Sequence, residues 1–209
     1  MDERPIVVKV GGSLFDLPDL GIRLQRLLDG IDPHRTLLVP GGGPTTHAVR
    51  RLDRLYSLGE ETCHWLALYA LTLNAHFLAR LLKPRATAVV ATASDGLEAW
   101  RAGRVPIIDA HALLRADENS PDRLPHSWDV TSDSVAARLA IVCRARQLIL
   151  LKSASFPSGI DWIEAGRRGL VDSHFARALE RSPSDELEIK FVNFRQWQRG
   201  SREEPQRDD

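Results

Sequence analysis

The sequence lacks several features that would assign it to a common class. It has only two cysteines in 209 residues, Cys63 and Cys143, and neither lies in a CxxC pair or at zinc-finger spacing from a histidine. No stretch of about 18 uncharged apolar residues occurs, so we predict no membrane-spanning helix. The start, MDERPIVVKV, has no basic region followed by a long apolar run. We therefore expect no signal peptide and a cytoplasmic location.

An excess of either charge is also absent. Lys plus Arg and Asp plus Glu each number 28, so the formal net charge is zero. This balance gives no electrostatic reason to expect nucleic acid or an anionic membrane as a partner, although it allows a local basic pocket. The histidines are scattered at no ligand spacing, so we predict no resident metal site.

Two common nucleotide-binding signatures are missing as well. No GxxxxGK[ST] motif is present, which excludes a Walker A loop. No GxGxxG is followed by an acidic residue about 20 positions later, which argues against a dinucleotide-binding fold.

Strand-like runs and helix-length segments alternate along the chain. Strands are predicted at residues 6–10, 36–39, 86–91, 105–108, 147–151 and 187–192, and helices at about 17–31, 45–57, 62–82, 132–144 and 171–180. Most of the strand runs are continuously apolar, as expected when both faces of a sheet are covered. We predict a three-layer α/β/α sandwich with a largely parallel central sheet. It forms a single domain over residues 1–199, and residues 200–209 are expected to be a disordered tail.

The helix predicted from Thr62 to Leu82 is apolar on almost its whole circumference. Its large apolar residues are Trp65, Leu66, Leu68, Tyr69, Leu71, Leu73, Phe77, Leu78, Leu81 and Leu82. A helix that covers a sheet needs only one apolar stripe. A homodimer interface or a fully buried internal helix would explain the surplus, and we favour the homodimer.

Two glycine-rich junctions each follow a predicted strand. Lys9 lies in an apolar strand that leads into Gly11, Gly12 and Ser13, and a phosphate would be a suitable partner for its charge. The second junction, Gly41, Gly42 and Gly43, follows the next strand, and Pro44 suits the first turn of a helix. Glycines let backbone N–H groups approach an anion closely. Each junction alone could be an inert turn, but two successive ones favour an anion cradle.

A third segment, DVTSDSVAA at residues 129–137, begins a predicted helix. Thr131 or Ser132 can cap this helix, and Asp133 lies in its first turn. An acidic first turn is routine. A carboxylate fixed there could also hold a lysine or glycine-loop amides, or help to seat a metal.

These three motifs, KVGGS, GGGP and DVTSDSVAA, occur in the order found in the amino acid kinase family, and the chain resembles that family over residues 5–194. The resemblance implies in-line phosphoryl transfer from ATP, with Mg²⁺, to a small-molecule acceptor. It implies that Lys9 stabilises the transferring phosphoryl and that Asp133 organises the lysines. By the same resemblance, Gly11, Gly12 and Ser13 bind the nucleotide phosphates, and the acceptor-side residues are Gly41, Gly42, Gly43, Asp129 and Thr131.

The nucleotide side departs from the family pattern. Many members carry a late lysine that contacts the transferring phosphate, and none is found at the corresponding stretch here. Lys152, Arg167 or Arg168 could replace it, and we favour Lys152, which lies with Ser153 at the end of a strand. Asp172 either contacts Mg²⁺ indirectly or caps the helix predicted at 171–180, and we favour the cap.

Within the family, the chain is most similar to the small kinases of methanofuran-type one-carbon cofactor synthesis, on the segments WDVTSDS, HWLALYALTLNAH and GLVDSHF. This resemblance implies an aminomethylfuran phosphate as acceptor and a diphosphate as product. Asp129 would favour an acceptor that bears an ammonium group, or is a plain loop acid.

Two other hypotheses stay open. The missing late lysine and the short C-terminal part also suit a non-catalytic protein that binds nucleotides or oxyanions on the same fold. A regulatory subunit that binds a catalytic partner through the apolar helix is the third.

Overall fold

The computed structural model describes residues 4–83, 85–180 and 187–198. Within these residues the strands are β1 (Ile6–Val10), β2 (Thr36–Pro40), β3 (Thr87–Val90), β4 (Val105–Ile108), β5 (Gln147–Lys152) and β6 (Glu188–Asn193). The α-helices are α1 (Leu20–Gly30), α2 (Gly43–Tyr56), α3 (Glu60–Leu81), α4 (Ala93–Arg101), α5 (Ala110–Asp117), α6 (Ser132–Val142), α7 (Trp162–Arg167) and α8 (Phe175–Leu179). The tail predicted at 200–209 lies outside the described residues.

The six strands form one sheet in the order β3-β4-β2-β1-β5-β6, and every pair is parallel. Parallel strands need crossover connections, which the helices supply. The carboxyl ends of all six strands therefore lie at one edge of the sheet. This edge brings the two glycine junctions, after β1 and β2, beside the end of β5. The predicted α/β/α sandwich with a parallel sheet is confirmed.

Helices cover both faces of the sheet, as the alternation of side chains along β1 shows. Ile6, Val8 and Val10 pack in a core with α1 and the end of α3. Val7 packs in a second core with α6 and the first half of α3. Because strand side chains alternate between faces, Lys9 shares the face of Val7. The strand pleat thus directs Lys9 toward α6.

Helices α4, α5 and α7 were not predicted from the sequence. The α4 start carries a signal that could have been used, since Thr92 and Asp95 cap each other's backbone in a capping box. The predicted helix at 171–180 is wrong in its first four residues, because α8 begins only at Phe175. Asp172 and Ser173 instead bond to other parts of the chain.

Helix α3 is apolar on two faces. Leu68, Leu71 and Leu78 are buried in the protein, whereas Tyr69 and Leu73 expose 55% and 61% of their surface. The alternative of a fully buried internal helix is therefore wrong for the single chain. Among the described helices, none is long and apolar enough to cross a membrane.

Candidate active site

Three predicted residues meet at the carboxyl edge of the sheet. Lys9 comes from β1, Lys152 from the end of β5, and Asp133 from the first turn of α6. The Lys9 Nζ lies 2.8 Å from Asp133 Oδ1, and the Lys152 Nζ lies 2.7 Å from Asp133 Oδ2. The Lys9 and Asp133 side chains each expose only 5% of their surface. One buried carboxylate therefore holds two ammonium groups side by side.

The charges in this cluster affect one another. Burial opposes ionisation of Asp133, but the two lysines outweigh it and hold its pKa below the usual value. For Lys152, burial and the nearby charge of Lys9 lower the pKa to about 8, against the opposing effect of Asp133. Two ammonium groups that share one carboxylate leave a net positive charge, which suits a phosphoryl group.

Asp172 fixes the start of α6, and with it Asp133. Its Oδ2 accepts hydrogen bonds from the backbone N–H groups of Thr131 and Ser134, both at 2.9 Å. The hydroxyls of the same two residues also donate to its carboxylate. The Asp172 N–H donates to Asp133 Oδ2 at 3.2 Å. Asp172 thus caps α6 rather than the predicted helix at 171–180, and Thr131, at the N-cap position, makes no side-chain capping bond.

The two glycine junctions pack directly on each other. A Cβ on Gly12 would collide with the backbone N of Gly43, and a Cβ on Gly43 would lie 2.6 Å from the Gly12 carbonyl oxygen. Gly43 also has a φ of 53°, in the left-handed region that favours glycine. The Gly41 N–H donates to the Val10 carbonyl at 2.8 Å, which ties the second junction to β1. Glycine is thus required at both junctions for backbone-to-backbone contact.

Asn74, which the sequence analysis missed, holds the second junction from α3. Its side chain is buried, and its amide nitrogen lies 2.7 Å and 2.8 Å from the carbonyl oxygens of Gly41 and Gly42. It also lies 2.8 Å from Thr45 Oγ1. A lone asparagine in an apolar helix is the available sequence signal, because a buried amide needs partners.

On the nucleotide side predicted from the sequence, Ser13 Oγ donates to Ser153 Oγ at 2.9 Å, which joins the first glycine junction to the end of β5. Arg195, also missed, donates to the Ser13 carbonyl at 2.8 Å and pairs with Asp16. Arg167 and Arg168 instead pair with Glu164 on the exposed side of α7. Of the three predicted substitutes for the late lysine, only Lys152 contacts Asp133.

A cavity of about 450 Å³ opens beside the glycine junctions. Gly12, Ser13, Gly42, Gly43 and Thr131 line it, so it joins predicted nucleotide-side and acceptor-side residues. Asp129 is not among its lining residues. The Asp129 carboxylate accepts a hydrogen bond from Ser173 Oγ at 2.9 Å.

A basic wall of the cavity comes from α2, and the sequence analysis did not identify it. His47 and Arg50 lie one turn apart on this helix, and both line the cavity. The Arg50 guanidinium lies 4.1 Å from the ring centre of Trp128, a cation–π contact. The Trp128 Nε1 donates to Asp53 at 3.2 Å, which fixes the ring. Arg50 thus supplies a cation to the cavity of a chain whose formal net charge is zero.

No group of three or more His, Cys, Asp or Glu side chains with metal-binding geometry occurs in the part of the chain that the structure describes. The two carboxylates nearest the lysines, Asp133 and Asp172, are both engaged in the hydrogen bonds given above. Mg²⁺ commonly binds through substrate phosphates and waters, with one or two carboxylates. The arrangement is compatible with an ion that arrives on the nucleotide.

Comparison with known proteins identifies the family. The sequence profile of the amino acid kinase family matches residues 4–155. The chain is 24% identical to the [5-(aminomethyl)furan-3-yl]methyl phosphate kinase of Methanocaldococcus jannaschii, over 73% of this chain and 70% of that protein. It is 29% identical to the uridylate kinase of Pyrobaculum arsenaticum, over 49% of this chain and 46% of that protein.

Solved structures show the same fold. The uridylate kinase of Archaeoglobus fulgidus superposes with a TM-score of 0.59 at 19% identity, covering 91% of this chain and 92% of that chain. The UMP kinase of Bacillus anthracis gives a TM-score of 0.61 at 14% identity, covering 92% and 88%. The chain therefore belongs to the amino acid kinase family and is a kinase.

Proposed function

We propose that the protein transfers the γ-phosphate of ATP to a small metabolite at the Lys9–Asp133–Lys152 cluster. The observation that supports this most is the pair of ammonium groups held by one buried carboxylate beside two glycine junctions. A transferring phosphoryl group needs positive charge and fixed position more than covalent chemistry. The cluster supplies the positive charge, and the glycine junctions fix the position of the phosphate groups.

In this proposal the chain positions two phosphate-bearing ligands for in-line transfer. Gly12 and Ser13 hold the nucleotide phosphates through backbone N–H groups, whereas Gly11 donates its N–H to the Leu151 carbonyl at 2.8 Å and allows this close packing on β5. Gly41, Gly42 and Gly43 face the acceptor. Lys9 and Lys152 stabilise the charge that develops on the transferring phosphoryl. Asp133 keeps both ammonium groups in place, so that little reorganisation is needed in the transition state.

Mg²⁺ is part of the proposal as the partner of ATP. When bound, it would neutralise phosphate charge, and the nucleotide's own oxygens would be its main ligands. We assign no direct ligand to it among the described residues. The predicted place of Lys152, Ser153 and Asp172 on the nucleotide side stays part of the proposal.

For the acceptor, we propose [5-(aminomethyl)furan-3-yl]methyl phosphate, which would give a diphosphate in one-carbon cofactor synthesis. The M. jannaschii relative bears this substrate in its name. A basic wall at His47 and Arg50 suits the phosphate of such an acceptor. Asp129 and Thr131 stay acceptor-side predictions, and Thr131 lines the cavity.

We further propose a cytoplasmic homodimer that forms through α3. The support is an apolar stripe that a single chain leaves open. Tyr69, Leu73 and Phe77 follow one another at spacings of four residues and expose 55%, 61% and 39% of their surface. Burying such a stripe against its copy would remove apolar area from water. Light scattering of the wild type and of Leu73→Lys would test this proposal, with a monomeric variant expected.

A non-catalytic binding protein on the same fold is the competing function that one observation favours. The nucleotide side lacks the late lysine, and Lys152 can be neutral near pH 8, given its lowered pKa. In that case the cluster would bind phosphate without moving it.

Calorimetric titration with a magnesium complex of a non-hydrolysable ATP analogue tests the proposed function. We expect one site per chain and micromolar affinity, weakened by Gly12→Val, which would separate the two glycine junctions. Absence of binding at millimolar analogue by the folded wild type would contradict an ATP-dependent kinase.

A further inference from the structure

His64, on α3, lies in the wall of the cavity. It lines the cavity next to Ala67, Leu68 and Leu71, which are apolar and face the same space. The side chain is 6% exposed, so it belongs to the interior of the protein. A buried imidazole among apolar neighbours normally has a hydrogen-bond partner.

His64 has no such partner among the described residues. Its ring contacts are with His126, stacked at 4.6 Å, and Trp65, edge-on at 5.2 Å between ring centres, and charges of Glu118 and Arg115 act on it. Its ring nitrogens are nevertheless not fully enclosed by the protein. Since the residue lines the cavity, the cavity is where an incoming group can reach these nitrogens.

The neighbours of His64 also fix its plane and its charge. His126 stacks on one face of the ring and is itself held by Glu118, whose Oε1 lies 2.9 Å from His126 Nε2. Burial, and next the charge of His126, lower the pKa of His64 to about 4. At pH 7 the ring is therefore neutral, with one N–H donor and one lone pair that accepts.

The cavity also contains groups that suit a phosphate. The glycine junctions, Arg50 and Arg195 provide backbone N–H groups and positive charge, which suit a phosphate. Asp16 is the one acidic residue that lines the cavity in the described part of the chain, and it is paired with Arg195. His64 is the polar residue that α3 contributes to the lining, beside the apolar Ala67, Leu68 and Leu71.

We propose that His64 is a specificity-determining residue that accepts a hydrogen bond from a hydroxyl or amine substituent of the phosphoryl acceptor. This inference rests on the proposed function, because it requires the cavity to hold the acceptor. In this arrangement the glycine junctions bind the phosphate of the acceptor and His64 binds its donor group. An acceptor without the donor group leaves the buried imidazole unpaired, which is how sites built on hydrogen bonds reject such analogues.

Three phosphate esters that differ in one group test the proposal. They are furan-3-ylmethyl phosphates with a methyl, hydroxymethyl or aminomethyl group at ring position 5, titrated calorimetrically with and without the magnesium complex of the ATP analogue. We expect the wild type to bind at least one donor-bearing ester about 5- to 10-fold more tightly than the methyl ester. The difference in affinity between the hydroxymethyl and aminomethyl esters shows whether His64 prefers a neutral or a charged donor group.

His64→Phe keeps an aromatic ring of similar size against His126 and Trp65 and removes the lone pair. We expect it to bind all three esters equally, whereas His76→Phe, an exposed histidine on the same helix, keeps the wild-type preference. Equal binding of the three esters by the wild type would overturn the proposal, and this result does not depend on the folding of the variant. A preference that survives in folded His64→Phe would also overturn it.

The two proposals can fail separately. Nucleotide binding without binding of any ester would overturn the role of His64 and leave the kinase standing. Ester discrimination in a protein that binds no nucleotide would support the role of His64 and contradict the ATP-dependent reaction.

Discussion

The lysine–aspartate cluster and the cavity wall formed by helix side chains are built in different ways. In the cluster, Lys9, Asp133 and Lys152 come from strand ends and a helix start, and each belongs to a short contiguous motif. In the cavity wall, His64 and Arg50 come from the sides of helices and Trp128 comes from a loop. The cluster holds its groups by direct ion pairs, whereas the cavity wall holds them by ring stacking and a cation–π contact.

This difference separates what the fold supplies from what an individual member can vary. A parallel sheet brings strand ends to one edge, so the lysine–aspartate cluster follows from the topology. The helix sides need only stay apolar enough to pack, and single polar residues on them can change without altering the fold. We therefore expect the lysine–aspartate cluster to determine the reaction and the cavity wall to determine the acceptor.

The largest expected effect tests the lysine–aspartate cluster through the stability of the fold. Asp133→Asn would leave two buried ammonium groups without their counter-charge, and breaking a buried pair in this way costs about 3–5 kcal/mol. Urea unfolding measures the loss. Asp16→Asn is the control, since Asp16 is 66% exposed and its pair with Arg195 should contribute under about 1 kcal/mol. Equal losses of unfolding free energy in the two variants would contradict the expected difference between the buried and the exposed ion pair.

The next effect concerns turnover. Lys9→Ala removes a fixed positive group from the transferring phosphoryl, and we expect kcat to fall about 10²–10³-fold while the affinity for the ATP analogue changes little. Lys190→Ala, at an exposed site on β6, should keep wild-type kcat. If Lys9→Ala lost analogue affinity and turnover in the same proportion, Lys9 would be a binding group and not a transition-state group.

Asn74→Leu, next to the second glycine junction, should weaken the binding of the acceptor. It leaves the carbonyl oxygens of Gly41 and Gly42 without their buried donor, at a cost of about 1–3 kcal/mol in stability. The KM of the acceptor should rise more than that of ATP, because the second junction is on the acceptor side. Gln25→Leu, which removes bonds to the carbonyls of Leu82 and Lys83, is the control, and steady-state kinetics distinguish the two. Equal KM changes for both substrates would contradict the division of the site.

The smallest effect is on pH dependence. Because the pKa of Lys152 is lowered to about 8, its charge is lost as pH rises through 8, and kcat should fall about tenfold per pH unit above it. Lys152→Arg stays charged and should lack this limb. The folded protein also disfavours the charged form of Lys152, which lowers the free energy of unfolding. This loss is complete below pH 8 and disappears as pH rises toward the usual lysine pKa. If kcat of Lys152→Arg still fell above pH 8, the fall would be caused by another titrating group.

The same contrast explains how far the sequence alone could lead. The strands were predicted within one or two residues because their runs are continuous and apolar, and Lys9, Asp133 and Lys152 were found because each lies in a motif at a predicted strand or helix end. Asn74 contacts a junction 33 residues earlier in the chain, and Arg195 contacts Ser13 across 182 residues. No local pattern encodes such distances.

Asp172 is a second example of a long-range contact that the local sequence does not predict. Its position before a predicted helix suggested a local cap, and the structure uses it to cap α6, about 40 residues earlier. Local propensity identifies a capping residue but not which helix end it will reach, because tertiary packing decides that.

The central claim is that the lysine–aspartate cluster moves a phosphoryl group rather than only binding one. Phosphorus-31 NMR of the wild type with MgATP and [5-(aminomethyl)furan-3-yl]methyl phosphate tests it directly. The account predicts loss of the ATP γ-phosphate signal and growth of two coupled signals from a new diphosphate, with growth about 10²–10³-fold slower for Lys9→Ala. If the folded wild type binds the ATP analogue and the ester but no signal of a new diphosphate appears, the claim is contradicted and the non-catalytic function is favoured.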